Sequence, residues 1–418
     1  MKRFLTPVVL SFIVLSAFLS SCDHDSPENH YISKIELASH QYDMTNNLLG
    51  FTIDIMGAVD AENPNGSWMF SPFGIAASMA LLSNYADEEA SKEILDELGL
   101  SAWSKDEINR YFETMLESIS QYGFGNTTKF GSYLSLEGDM TLDSGNSDAL
   151  KEAYGLSLSS YSKEDSEALL NSINGWSGEK ISGELSKPVK TSDIDPDGGI
   201  VFSSGFSYEG KWRYKFPSSQ TSKETFVRGD RSSTMVDMMK RPYVGFDLKV
   251  AGDYLGRPDM GMLKFSVWYP GLIIPYTSGA PLFENFQQMI SYMKKYNPGI
   301  TLLICSNDVK KIEYWLPKFE TPSTALDMKK CLMDIGIEKI FSDGITLSGG
   351  DKTKIGSFPG VGYFRTNEDG FFEVKDLDSL ASFNYTTNYI LKNNRPFYYF
   401  VFLQDPFVFL LAGKYDGN

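Results

Sequence analysis

The sequence predicts an α+β fold in one large domain. Three observations predict it: helical periodicities crowd the first part of the chain, strongly apolar alternating runs dominate the later part, and no repeat or low-complexity linker separates them.

The chain opens with Lys2 and Arg3, then an apolar run from Phe4 to Phe18, then Leu19, Ser20, Ser21 and Cys22. This is the layout of a lipoprotein signal over residues 1–21, with Cys22 as the lipidated first mature residue. The competing readings are an ordinary cleaved signal or an uncleaved anchor; the run is short for a membrane span. Residues 22–40 lack apolar periodicity and read as a flexible tether, and residues 41–418 as the folded domain. A body tethered this way meets the membrane through its lipid anchor only, at a bacterial outer membrane or cell surface.

Within the domain, TNNLLGFTIDIMGAV places Leu48, Phe51 and Ile55 at helical spacing behind a Thr/Asn start. A loop at Pro64, Asn65 and Gly66 leads to a second helix whose small residues, Gly74 to Ala80, suit close packing. Asp87, Glu88 and Glu89 suit the first turn of a third helix, and Gly99 closes it. From about Thr128, FGSYLSLEG reads as a strand, SDALKEAYG as a short helix and SEALLNSINGWSGEKISGEL as a longer one. GIVFSSGFSYEGKW, MVDMM, LGRPDMGMLKFSVWYPG and KIEYWLPKF then read as strands. The end, RPFYYFVFLQDPFVFLLAGKY, reads as a buried hairpin around Gln404, Asp405 and Pro406.

Composition removes several function classes. With 54 acidic against 38 basic residues, the formal net charge is −16, which repels nucleic acid and anionic headgroups. His24, His30 and His40 are the only three histidines, all near the N-terminus. A Ser-His-Asp or Cys-His mechanism therefore has no histidine in the body to use. No cofactor is expected and the chain reads as a non-enzyme, with paired carboxylates the one catalytic chemistry that composition leaves open. Cys305 and Cys331 could form a disulfide or sit as two buried thiols; Cys331 falls on the apolar face of a helical run. Asp193, Asp195, Asp197 and Gly198 match the opening of a calcium loop, but Ser204 stands where a bidentate Glu is required. The aromatics Phe397, Tyr398, Tyr399, Phe400 and Phe402 read as sheet core.

Several ordered motifs resemble the serpin family over nearly the whole mature chain. They are Ser71, Pro72 and Ile75; Glu93, Ile94, Leu95, Leu98 and Gly99; Asn174, Trp176 and Gly183; Tyr208, Gly210, Lys211, Trp212 and Phe216; Val236, Met238 and Met239; and Leu316, Pro317, Lys318 and Phe319. Ile335, Gly336, Phe341, Ser342, Leu347, Ser348 and Gly349 follow, then Asn367, Glu368, Asp369 and Gly370, and finally Asn394, Arg395, Pro396 and Phe397. The resemblance implies three β-sheets, eight or nine helices, a monomer, and an exposed reactive loop between Gly370 and Asn394. It also implies a partner, a serine or cysteine protease of a host or competitor. Two positions depart from the family: Ser204 stands for its usual Asn and Gly360 for its usual His, both where the main sheet opens.

In this family a protease attacks the loop, and the cut loop enters the main sheet as a new strand before the acyl-enzyme resolves. The hinge here comprises Glu368, Asp369 and Gly370, and the residues facing inward after entry are Phe371, Glu373, Lys375 and Leu377. Family inhibitors carry Thr and small residues at such positions. Burying an ionised Glu or Lys costs several kcal/mol, of which mutual pairing recovers only part. Since insertion races deacylation, about 1.4 kcal/mol added to its barrier slows it tenfold, so covalent trapping is disfavoured. Family spacing places the bait bond at Asn384 and Tyr385, whose aromatic surroundings suit chymotrypsin-like or papain-like specificity. A non-inhibitory binding or decoy module is the alternative.

Overall fold

A computed structural model describes residues 34–122, 127–142, 147–241, 249–250, 260–266, 271–277, 312–321, 324–372 and 389–417. Seven α-helices lie among them: α1 (Ser39–Glu62), α2 (Pro72–Ser83), α3 (Glu88–Glu97), α4 (Lys105–Ser120), α5 (Ser147–Tyr154), α6 (Ser166–Trp176) and α7 (Met328–Asp334). Strands are numbered in chain order. The main sheet takes β2 (Thr127–Glu137), β3 (Leu156–Tyr161), β4 (Ile200–Glu209), β12 (Phe319–Glu320) and β17 (Pro359–Thr366), in the order β12-β17-β4-β2-β3. The short β13 (Leu326–Asp327) joins β17, and β16 (Ile355–Ser357) joins β4.

A second sheet of six strands runs β1 (Trp68–Phe70), β21 (Phe407–Tyr415), β20 (Phe397–Gln404), β10 (Gly271–Thr277), β9 (Met260–Ser266), β8 (Lys249–Val250). A third, of four, runs β19 (Tyr389–Lys392), β11 (Ile312–Pro317), β7 (Ser233–Arg241), β6 (Ser222–Val227). Two ribbons complete the set: β14 (Ile345–Thr346) with β15 (Lys352–Thr353), and β5 (Trp212–Tyr214) with β18 (Gly370–Phe372).

Helix starts follow local chemistry. The Ser71 hydroxyl accepts from the Gly74 amide at 2.9 Å with Pro72 in the first turn, and all twelve residues of α2 are buried. Asp87 caps α3 by accepting from the Ala90 amide at 2.8 Å, and Gly99 follows the helix at φ +69°, a conformation glycine adopts freely. The longer helix expected over SEALLNSINGWSGEKISGEL stops early: α6 ends at Trp176 and passes into a π-turn over Ser177–Ile181. The expected C-terminal hairpin is β20 and β21, joined through Asp405 and Pro406.

The main sheet separates two apolar clusters. One face meets the large core, including Ile200, Phe202, Phe206, Tyr208 and Phe364. On the other, Val201, Val361 and Tyr363 pack with Ile173, Trp176 and Ile181 of α6 and its π-turn. This second contact is close because Gly131 and Gly205 are direct cross-strand partners. A Cβ at Gly205 would lie 2.4 Å from Ile181 Cγ1 and 2.9 Å from Trp176. Among the described residues no helix is long and apolar enough to cross a membrane.

Candidate functional site: the hinge at the top of the main sheet

The site begins where β17 ends. Asn367 follows it, and its Oδ1 accepts from the Asp369 amide at 2.9 Å, a local turn typical of Asn. The chain then forms β18 parallel to β5, with Gly370 opposite Trp212 and Phe372 opposite Tyr214. The Trp212 amide donates to the Asp369 carbonyl at 3.2 Å, and the Phe216 amide to the Glu368 carbonyl at 3.1 Å. Trp212 also donates its indole Nε1–H to the Asn367 carbonyl at 2.7 Å. One short segment after β4 thus holds three consecutive hinge carbonyls.

The Glu368 side chain fastens the same turn sideways. Its carboxylate accepts from the Thr221 hydroxyl at 2.8 Å and pairs with Lys318 Nζ at 2.8 Å. Burial alone would raise the affinity of this carboxyl for a proton, but the Lys318 and Thr221 hydrogen bonds outweigh it and hold Glu368 below its ordinary value.

Beneath the hinge the sheet is closed. Gly360 pairs with Ser204, Val361 with Gly205, Gly362 with Phe206, Tyr363 with Ser207 and Phe364 with Tyr208. Ser203 adds a hydrogen bond to the Pro359 carbonyl at 2.7 Å. A new strand can enter only if this seam parts. Its core side is lined by flexible thioethers: a Cβ at Gly362 would lie 2.7 Å from Met69 Cε, and one at Gly360 2.7 Å from Met328 Cγ. At the seam's upper end a small cavity of about 20 Å³ is lined by Tyr208, Gly210, Trp212, Phe364 and neighbours.

β17 is also held on its other edge. Thr321 and Phe364 exchange two hydrogen bonds, Thr321 amide to Phe364 carbonyl at 2.9 Å and Phe364 amide to Thr321 Oγ1 at 3.0 Å. Thr366 Oγ1 accepts from the Phe319 amide and donates to the Pro317 carbonyl.

This is a strand whose continuation leaves the sheet, turns over a closed seam and connects to β19 at the edge of a different sheet. Matched against known families, residues 46–416 fit the model described as serpin (serine protease inhibitor). The chain belongs to the serpin family. It is 25% identical over 334 residues to the alpha-1-antiproteinase of Bos taurus, covering 77% of this chain and 76% of that one. Among solved structures, mouse protein-Z dependent protease inhibitor superposes with a TM-score of 0.75 at 18% identity, over 90% of this chain and 98% of that one. Human thyroxine-binding globulin, solved in complex with that ligand, superposes at 0.73 with 17% identity, over 90% and 100%. The serpin fold implied by the sequence motifs is the observed one.

The structure brings Glu368, Asp369 and Gly370 together with Trp212, Phe216, Thr221 and Lys318. Trp212, Phe216 and Lys318 stand in the motifs that revealed the family, but their role as hinge partners was not legible there. Thr221 had no sequence signal. Phe371 lies within β18. Cys22, Cys305, Glu373, Lys375, Leu377, Asn384 and Tyr385 lie outside the described residues. Ser204 and Gly360, the two departures, are direct register partners in the seam. Asp195 is used in a turn, donating its amide to Ser357 Oγ while its Oδ1 accepts from the Asp197 amide. No group of His, Cys, Asp or Glu able to hold a metal occurs among the described residues.

Proposed function

We propose that the protein is a lipid-anchored serpin of a bacterial cell surface that offers the segment between Phe372 and Tyr389 to a serine or cysteine protease. It is cut there as a substrate, without rapid covalent trapping, and has no catalysis of its own. The observation that carries this reading is the hinge: its carbonyls are bound to Trp212 and Phe216, outside a seam zipped from Ser204 to Tyr208. The bait therefore starts from an anchored point on the surface, and entry must break both the clip and the seam.

Entry is further opposed by the residues it would bury. A turn centred on Glu368 and Asp369 would set Phe371, Glu373, Lys375 and Leu377 opposite Thr366, Phe364, Gly362 and Gly360 of β17. The last three partners share the core-facing side of the sheet, so a carboxylate and an ammonium would go into apolar packing. The likeness to a protease inhibitor and to a thyroxine-binding protein alike means that the fold does not choose between trapping and binding.

The test is incubation with one chymotrypsin-like and one papain-like protease, followed by denaturing electrophoresis and sequencing of new ends. The expected result is a cut at or beside Asn384 and Tyr385 with no SDS-resistant complex. A stable complex would restore the trapping inhibitor, and a loop that neither enzyme cuts would remove the bait reading.

A further inference from the structure

The four-stranded sheet carries a cluster to which every strand gives one residue. Trp315 of β11 is the direct register partner of Lys392 on β19 and of Lys240 on β7. The two ammonium groups lie 4.2 Å and 4.0 Å from the centre of its indole ring. Glu224 of β6 closes the set: one carboxylate oxygen accepts from Lys240 at 2.6 Å and the other from Lys392 at 3.1 Å. Lys240 also donates to the Ser222 hydroxyl at 2.8 Å.

The strand at the end of this row needs support. Among the described residues β19 is an edge strand of four residues, paired parallel to β11 alone, and a short parallel pairing is weak by itself. Asn393, just beyond it, adds two hydrogen bonds to the Trp315 carbonyl at 2.8 Å and 3.1 Å. We propose that Glu224, Lys240, Trp315 and Lys392 act as a clasp that positions the downstream end of the bait segment by holding β19 on the sheet. The proposal rests on the bait reading for its purpose, but the clasp can be tested without any protease.

Its logic is charge balance. With Glu224 ionised, one carboxylate bridges two ammonium ions that share an aromatic ring, each attracted to the ring's face. With Glu224 neutral, the same two cations repel each other across one indole. The hydrogen bonds from Lys240 and Lys392 hold the Glu224 carboxyl below its ordinary value. The clasp is therefore intact above pH 4.5 and weakens as the pH falls through the lowered value. Lys223 and Asp237, paired at 3.0 Å on the opposite face of the same two strands, take no part.

The experiment is hydrogen exchange of the full chain, read on the peptide covering Tyr389–Lys392. In Glu224→Gln, β19 amides should exchange about tenfold faster at neutral pH, with β6 and β7 unchanged. Lys392→Met keeps an apolar stem over Trp315 and should show the same acceleration, so the inference survives a Glu224 variant that folds poorly. Lys223→Gln should leave β19 at the wild-type rate. After correction for intrinsic exchange, wild-type β19 should open faster below pH 4.5 while Glu224→Gln stays flat. Rates within twofold of wild type in both clasp variants, or an equal effect of Lys223→Gln, would overturn the clasp. Loop cutting by the two proteases is scored separately: its absence would sink the bait reading and leave the clasp standing.

Discussion

Lys318 Nζ lies 2.8 Å from the Glu368 carboxylate, joining the end of β11 to the second residue after β17. The pair ties the hinge to a strand of another sheet, and Thr221 adds the second hydrogen bond to the same carboxylate. Glu368→Gln keeps the shape and removes the charge. It should destabilise the native state by about 1 kcal/mol, an amount kept small because Lys318 is 39% exposed. Because Glu368 is held below its ordinary value of 4.5, this contribution is complete above that pH and fades as the pH falls through the lowered one. In urea titrations, wild type and Glu368→Gln should differ at pH 7, and the difference should shrink as the pH is lowered from 4.5; a difference that stays constant with pH contradicts the ion pair.

Gly205 is required by packing. A Cβ there would meet Ile181 at 2.4 Å and 2.6 Å and Trp176 at 2.9 Å. Gly205→Ala should cost about 1–3 kcal/mol through overpacking. A denaturation midpoint equal to wild type would show that α6 and its π-turn do not press on the sheet as described.

Tyr208 is 2% exposed, and its hydroxyl has no hydrogen-bond partner among the described residues. Burial pushes its phenol well above the usual range. Tyr208→Phe removes a buried polar atom without losing a bond, so stability should stay level or rise by up to about 1 kcal/mol. A fall of that size in the unfolding free energy would reveal a partner for the hydroxyl.

Cys331 is buried, unpaired, and its thiol is pushed up to about 12, first by burial and then by Asp327 and Glu62. Thiolate is the reactive form, so alkylation of Cys331 at pH 8 should be negligible in the native protein and rapid in urea. Site-resolved mass spectrometry checks this; native labelling at the unfolded rate would mean that α7 opens freely.

Much of the fold was legible because its signals are local. Ser71 with Pro72 and Asp87 with Gly99 mark helix ends by chemistry that works within a single turn, β4 alternates strongly enough to be read alone, and β20 is read from its continuous apolar run. The helix α4 was missed although Ser104 and Glu107 form a capping box, with the Ser104 amide donating to the Glu107 carboxylate at 2.9 Å. The hinge partners were hidden for a different reason. Thr221 lies 147 positions from Glu368, and no periodicity connects residues that only the closing of three sheets brings together. The glycine pit under Trp176 was equally silent, because Gly131 and Gly205 acquire meaning only as cross-strand partners.

The most direct test of the central claim is the melting temperature of the chain before and after a protease nicks it between Gly370 and Asn394. The proposed reading predicts no change, because entry would have to break the clipped hinge and the closed seam and would bury Phe371, Glu373 and Lys375. A rise of many degrees would mean that the cut loop has become a strand beside β17, and would contradict it.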